Sequence, residues 1–551
     1  MLAIVSQASA FHVQDDSYMY ARYAHNLVSG HGLAWDPGGE PTYGATALFF
    51  VPWVAAIGAL FPGSPARIVV FASVAAMLLA LVAIALLVRR LLPAATPGRA
   101  LVIAVLAAVL ATAHCGIAAH ATNGMDTGLA MASLALLLLA WSRSVASGAP
   151  ARGRSGVTLV LASFLAFGVR PDLGLYALGI PLALIVLAPR SDRPHLRNVA
   201  LANGLAIAAL LGWAWWYFGT PLTLSFYAKA LHAGYGAPFV QKHAPVAAQQ
   251  FALFTAFYAP LWIVALLDLP ARWRARHASE SALWLGVFAA TLLHWLYYRF
   301  AVMQVVGSWQ RFFYPTLPAL VLLGVASGAR LVERWNLLDV GAARKRVLVV
   351  SAFAACTLAS AAALALPRSV TLKLLPSRLR PYRDEFESSV EMFREEHARG
   401  QLLNYDMGER FAKTKARSFW FALDRFSALP DDISIATSEV GLPAALNPGK
   451  RVFDLVGLNE NGFALHGFDA RRLCAELAPD VLYLPHPDYT TQIEMLMSEP
   501  GFQRDYELHP KAELGSFMDL ALRRSSPRFE ELRAIVASRL AEPPPPRVPP
   551  R

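Results

Sequence analysis

FHVQDDSYMYARYAHNLVSGHGLAWDPG, residues 11–38, sets two adjacent carboxylates, Asp15 and Asp16, directly behind the apolar opening MLAIVSQASAF. Such a pair is costly at a bilayer surface unless it is used, so the first question is whether the surroundings are membrane. Of 551 residues, 56% are hydrophobic and only 16% charged, far from the composition of a soluble protein of this size. Apolar runs approaching the ~20 residues that a spanning helix needs recur at 68–88, 100–113, 198–218, 281–298, 312–328 and 347–366. A soluble core is excluded, and the expected fold is an α-helical polytopic membrane protein. The opening segment reaches Asp15 after only about 20 Å of helix, against roughly 30 Å of hydrocarbon. Either the start is late or the first helix is partial; no basic region precedes it, which argues against a cleaved signal peptide.

The formal net charge of +11 would suit a nucleic-acid partner if it formed a patch. It lies mostly in short loops between apolar runs, so no nucleic acid is expected. If 45–61 lies against or dips into the membrane and each later run crosses once, one set of loops carries seventeen Arg and Lys (within 89–99, 143–154, 190–197, 272–276 and 330–346) and the opposite set six. The basic set belongs inside. This gives about 11 membrane helices, counting the partial first one. The opening loop and the region after Pro367 then share the outer side. Were 45–61 to cross, only the loop carrying Asp15 would change sides.

After Pro367 the composition turns soluble. The stretch RPYRDEFESSVEMFREEHARG reads as a surface helix, DISIAT, KRVFDLVGL and DVLYLP as short strands, and ARRLCAELA as a helix between the last two. The expected domains are a membrane part over 1–367 with an acidic outer loop at 12–65, a small α/β domain over 368–540 on the outer face, and a disordered Pro-rich tail over 541–551. The α/β domain either contacts an acceptor or partner, or caps the membrane part. Cys115, Cys356 and Cys474 make no disulfide framework, and His25, His31, His114 and His120 have no metal-ligand spacing. Trp213, Trp215 and Trp216 fit an interfacial belt.

Asp16, immediately before SYMYARYAHNL, is expected to N-cap a helix ending at Gly30; Asp15 has no such structural use. The string DDSYMYARYAHNLVSGHGLAWDPGGEPTYG resembles the first outer loop of the polyprenyl-phosphate-dependent glycosyltransferases of the C superfamily, which includes the mycobacterial terminal arabinofuranosyltransferases. Asp15, Asp16, Tyr18, Arg22, Tyr23, Ala24, Asn26, Leu27, Gly30, Gly32, Leu33, Pro37 and Gly38 fall in register. Weaker likenesses follow in order in NGMDTGLAM (123–131), VRPDLGLYAL (169–178), YFGTPLTLSFYAKA (217–230) and SWQRFFYPTLPALVLL (308–323), and loosely in SEVGLPAAL and VFDLVGLNE. The chain departs from the pattern at Asp126, where relatives often have Glu. It departs again at Gly307, Ser308 and Trp309, where an acidic residue is common, and at Gly39, which displaces Glu40.

The resemblance implies an inverting glycosyltransferase of the bacterial cytoplasmic membrane, moving a sugar such as arabinofuranose from a polyprenyl-phosphate donor to an envelope glycan, lipid or protein. Asp15 is the expected general base, with Asp16 beside it. Lys229, Arg311 and Arg170 are expected at the donor phosphate, though cations at helix ends also snorkel to headgroups. Tyr18, Arg22, Glu40, Asp126 and Tyr227 are candidates for substrate binding; Asp126 and Asp172 also suit helix caps. No cofactor is certain, and Asp15 with Asp16 could hold a divalent metal. A transporter is the competing class, against which stand the absence of a repeat and the clustering of acids at helix ends. A non-catalytic scaffold or receptor is the other.

Overall fold

In the computed structural model, the described residues are 13–92, 115–147, 153–230, 248–301 except 249, 253 and 257, 310–334, and 419–542. The opening segment, the runs at 100–113 and 347–366, the surface helix near 380–400, the domain boundary at 367/368 and most of the tail lie outside them.

Among the described residues four helices are long and apolar enough to cross a membrane: Pro65–Leu91, Thr127–Ala146, Arg193–Phe218 and Ser279–Phe300. Shorter apolar helices, Phe50–Leu60, Arg154–Val169 and Pro171–Leu187, pack among them, together with Ala259–Arg274 and Leu317–Arg334. The 11 residues of Phe50–Leu60 rise only about 16 Å, half a hydrocarbon thickness. The count of eleven spans is not reached among the described residues and remains an expectation. Large apolar side chains are exposed along these helices, including Trp213, Trp215 and Trp216 on Arg193–Phe218.

Polar side chains join the helices where hydrocarbon offers no water. Asn203 donates to Ser163 Oγ at 2.9 Å and to the Ala177 carbonyl at 2.8 Å, tying three helices. Tyr176 reaches Thr291 across the next pair at 3.1 Å. Arg154–Val169 stops because Pro171 follows: the residue before proline is driven out of the helical region, and Arg170 is extended at φ −149°, ψ 122°. A short 3₁₀ turn, Pro171–Leu173, then begins the return helix.

The opening loop is a helix, Asp15–Val28, lying against Phe50–Leu60 and Pro65–Leu91. Asp16 does not cap it, which corrects the expectation. The N-cap is Gln14, whose N–H is bonded to the Asn123 carbonyl at 3.1 Å; the helix starts two residues early and both acids fall in its first turn. Asn26 then folds the chain back, donating to the carbonyls of Ala34 and Trp35 at 2.8 and 2.9 Å.

Residues 419–542 form a five-stranded mixed sheet in the order β2-β1-β3-β5-β4. β1 (Ser434–Thr437), β2 (Arg451–Asp454) and β3 (Val481–Tyr483) run parallel and match the three expected strands. The expected helix between β2 and β3 covers Ala470–Leu477, its second half a π-turn. β4 (Tyr506–His509) and β5 (Leu520–Arg523) add an antiparallel edge that was not expected.

Candidate functional site

A cavity of about 150 Å³ opens where one set of helix ends meets the opening loop. Its charged lining is three carboxylates, Asp16, Asp126 and Asp172, and three cations, Arg170, Lys229 and Arg311; Tyr20, Tyr297, Tyr298, Phe312 and Leu458 also contribute. Of the residues expected from sequence at a site, Asp16, Asp126, Arg170, Lys229 and Arg311 therefore come together.

Two sub-networks divide the charge. Arg170 sits between Asp172 at 3.0 Å and Asp126 at 3.5 Å, and donates to Tyr298 Oη at 2.8 Å while Tyr298 donates to Asp172 at 2.8 Å. Arg170 is thereby committed to protein partners. Asp126 sits at the head of Thr127–Ala146 but makes no side-chain cap bond; its partner is Arg170. Tyr298 and His294, whose Nε2 lies 3.7 Å from Asp172, were missed by sequence reading. They arrive from more than a hundred residues away, and nothing local marks them.

Arg311 makes the second network, donating to Asp16 Oδ2 at 2.9 Å and Gln14 Oε1 at 3.0 Å. Burial alone would raise the Asp16 carboxyl, yet Arg311 and Lys229 together outweigh it and hold the group below the ordinary carboxylate range. Asp16 is thus ionised throughout the physiological range. Lys229, on the short helix Leu224–Ala230, has no ion-pair partner among the described residues. Burial lowers its ammonium pKa, with Asp16 acting against that.

Asp15 faces elsewhere. Its two carboxylate oxygens accept from the backbone N–H groups of Gly441 (2.8 Å) and Leu442 (2.9 Å), the first residues of the short helix Gly441–Leu446 in the C-terminal region. Two turns on, the fully buried Arg22 takes the other end of the same helix. It donates to the carbonyls of Ala444 (3.0 Å) and Asn447, and onward to Lys450 (2.7 Å) and Trp35 (2.8 Å). An acid at the N-terminal N–H groups and a cation at the C-terminal carbonyls both suit the helix dipole. Asp15 and Arg22, seven residues apart and so about 10.5 Å along their own helix, form a clamp on the second domain. Gly441 is required there, because a Cβ would run into the backbone oxygen of Asp15. Gly44 is required likewise by the approach of Leu458 and Asn459.

The expectations for Arg22 and Tyr18 as substrate ligands are corrected accordingly: Arg22 is spent on backbone carbonyls, and Tyr18 is buried in the core. Tyr227 packs edge-on against Phe226 and is not part of the cavity lining. Glu40 is exposed on a separate cleft. A divalent metal shared by Asp15 and Asp16 does not fit, since the Asp15 oxygens are already occupied by Gly441 and Leu442, and no cluster of three His, Cys, Asp or Glu suited to a metal occurs among the described residues.

A stack of apolar helices with a small mixed α/β domain gripping its opening loop, and a charged cavity at their junction, defines a multi-pass membrane protein class. The fold is that of ArnT from Cupriavidus metallidurans: its apo crystal structure aligns over 98% of both chains at a TM-score of 0.51 and 16% identity. ArnT from the same organism bound to undecaprenyl phosphate aligns over 98% of this chain and 97% of that one, at a TM-score of 0.47 and 13% identity. No protein-family model matches the sequence. No curated protein matches it either.

Proposed function

We propose that the chain is an inverting glycosyltransferase that moves a sugar from a polyprenyl-phosphate donor to an acceptor of the bacterial envelope. It would act at the outer face of the cytoplasmic membrane, with the C-terminal domain on that side. The observation that carries the reading is an ionised Asp16 sharing one cavity with Lys229 and Arg311 at the helix ends. The lipid-phosphate class is one that ArnT itself binds. Arabinofuranose is the sugar proposed, on the likeness of the opening loop.

The chemistry follows from charge. The acceptor oxygen forms a bond to the anomeric carbon from the face opposite the phosphate. The bond from that carbon to the phosphate oxygen breaks, its electron pair leaving with the polyprenyl phosphate, and the acceptor proton passes to a carboxylate. We assign that proton to Asp16 rather than Asp15. Arg311 occupies only one oxygen of Asp16, and a carboxylate held ionised is a competent base once a hydroxyl is within hydrogen-bond reach. Lys229 is the cation proposed for the phosphate, stabilising the charge that develops on departure. Arg170 instead holds Asp126 and Asp172 in place.

The test supplies the full chain in lipid nanodiscs with radiolabelled polyprenyl-phosphate pentoses and hexoses and envelope acceptors. Asp16→Asn is expected to cut turnover by about 10²–10⁴-fold, the usual contribution of a general base, while Asp15→Asn retains far more activity. Full transfer by Asp16→Asn refutes the assignment. No transfer by wild type with any donor favours a transporter or scaffold.

A further inference from the structure

A second cleft of about 560 Å³ lies between the Gly-rich end of the opening loop, Trp35–Thr42, and the C-terminal domain. Small-molecule sites typically occupy about 300–1,000 Å³, so the space is adequate for a ligand. Its walls carry exposed charge and an unpaired amide oxygen, with Arg451 resting over the Phe453 ring at 4.9 Å. Glu40 and Arg451 are exposed and enter no ion pair among the described residues, and Asn461 has a buried side-chain oxygen with no hydrogen-bond partner. Asp36 and the Glu460–Arg472 pair, joined at 2.8 Å, complete the rim.

Of the apolar liners, Trp35, Val452 and Phe453 are buried beneath this surface and Pro37 and Leu477 are half-buried. The cleft therefore offers little to an acyl chain and much to a ligand rich in hydroxyl groups, which carboxylate, amide and guanidinium groups bind as donor and acceptor at once.

Its position matters as much as its lining. Thr42 and Asn459 line this cleft, whereas Gly44 and Leu458 line the charged cavity. The partition is about two residues, some 7 Å of chain. Tyr23 pins it, with its hydroxyl 2.9 Å from Thr42 Oγ1 and 3.1 Å from Asn459 Oδ1, accepting from the Gly44 N–H at 3.2 Å.

We propose that this cleft is the acceptor subsite, holding the inner residues of a glycan whose terminal sugar crosses the Tyr23-pinned partition to Asp16. The inference rests on the glycosyl-transfer reading and adds to it the acceptor class, a polysaccharide rather than a lipid. The expected residue Glu40 takes a place in it, together with Arg451, which no motif marks.

Binding and turnover separate the two claims. Wild-type protein in nanodiscs, without donor, is titrated with fluorescent arabinan, mannan and glucan hexasaccharides, and separately with a labelled oligolysine. Binding of at least one hexasaccharide, weakened tenfold or more by Glu40→Gln and by Arg451→Ala, is expected. Binding of none, or of oligolysine alone, overturns the subsite whatever the turnover assay gives. With a donor that wild type uses, the same variants should lower the preference for hexasaccharide over the matching monosaccharide, read as a ratio of kcat/KM, at least tenfold. An unchanged ratio overturns the subsite while leaving the transfer reading intact. Hexasaccharide binding through the cleft with no transfer from any donor sinks the transfer reading and keeps the cleft.

Discussion

Arg22→Lys separates a clamp from a substrate ligand. The guanidinium of Arg22 is fully buried and donates to four backbone carbonyls, those of Trp35, Ala444, Asn447 and Lys450, which approach from different directions. An ammonium has three N–H groups radiating from one atom and no fork, so at least one of these four charge-assisted bonds is lost, although the carbonyls of Trp35, Ala444 and Asn447 keep a second donor in Asn26 Nδ2 and the N–H groups of Asn447 and Lys450. A hydrogen bond to a charged group is worth about 1.5–3 kcal/mol, and the penalty takes the upper end, about 3 kcal/mol, because Arg22 is fully buried. It falls on the contact between the opening helix and Gly441–Leu446, not on the membrane helices. Amide hydrogen exchange of the full chain in nanodiscs reads it directly: at roughly 1.4 kcal/mol per tenfold, protection across 441–454 should fall by about a hundredfold. Protection in Thr127–Ala146 should hold. Exchange at 441–454 within threefold of wild type would refute the clamp, and a loss of transfer without that loosening would return Arg22 to substrate binding.

Arg311→Gln removes the largest influence opposing burial at Asp16, so its carboxyl pKa rises. A base must be deprotonated, hence the acid limb of the pH–rate profile, where rate falls as pH falls, should move to higher pH than in wild type; an unmoved profile contradicts the pairing. The sign for stability is the same, because a depressed carboxyl stabilises the fold above its unfolded pKa and that contribution is lost as pH falls through the folded value. Lys229→Met should raise the donor KM by roughly ten- to a hundredfold, the worth of one charge-assisted contact of ~1.5–3 kcal/mol, measured with donor as the varied substrate; an unchanged KM removes Lys229 from the phosphate. Gly441→Ala sets a methyl against the Asp15 backbone and should loosen the same exchange window as Arg22→Lys, at about 1–3 kcal/mol.

Much of this architecture was written locally. The crossing helices announce themselves as apolar runs, since a bilayer imposes length and composition on each segment separately, and β1 to β3 read as strands because DISIAT, KRVFDLVGL and DVLYLP are β-rich segments between turns. β4 and β5 escaped for a physical reason. Tyr506–His509 is an edge strand with only its first residue fully buried, and Leu520–Arg523 is three apolar residues followed by an arginine, too short to separate helix from strand. Their pairing decides the matter, and pairing is non-local. The Asp172–Tyr298–His294 cluster is invisible for the same reason.

The acidic pair shows where local reasoning stops. An aspartate before a helical stretch is a good cap only if the chain enters free, and here the Gln14 N–H is bound to Asn123 and the cap lies two residues earlier, at Gln14. Neighbours in the first turn of a helix point about 100° apart, so with both acids inside the helix Asp16 faces the cavity with Arg311 and Asp15 the helix at Gly441. The resemblance in the opening loop thus mixes two kinds of residue. Asp15, Arg22, Tyr23 and Asn26 hold the loop to itself and to the C-terminal region, and Asp16 faces the charged cavity. Leu458 lines the cavity wall, and Asp15 with Arg22 seats the region that carries it, so the proposed site depends on how the C-terminal region sits. A clamp variant should therefore lose turnover in proportion to how far the domain loosens, whereas Asp16→Asn loses turnover with exchange at 441–454 unchanged.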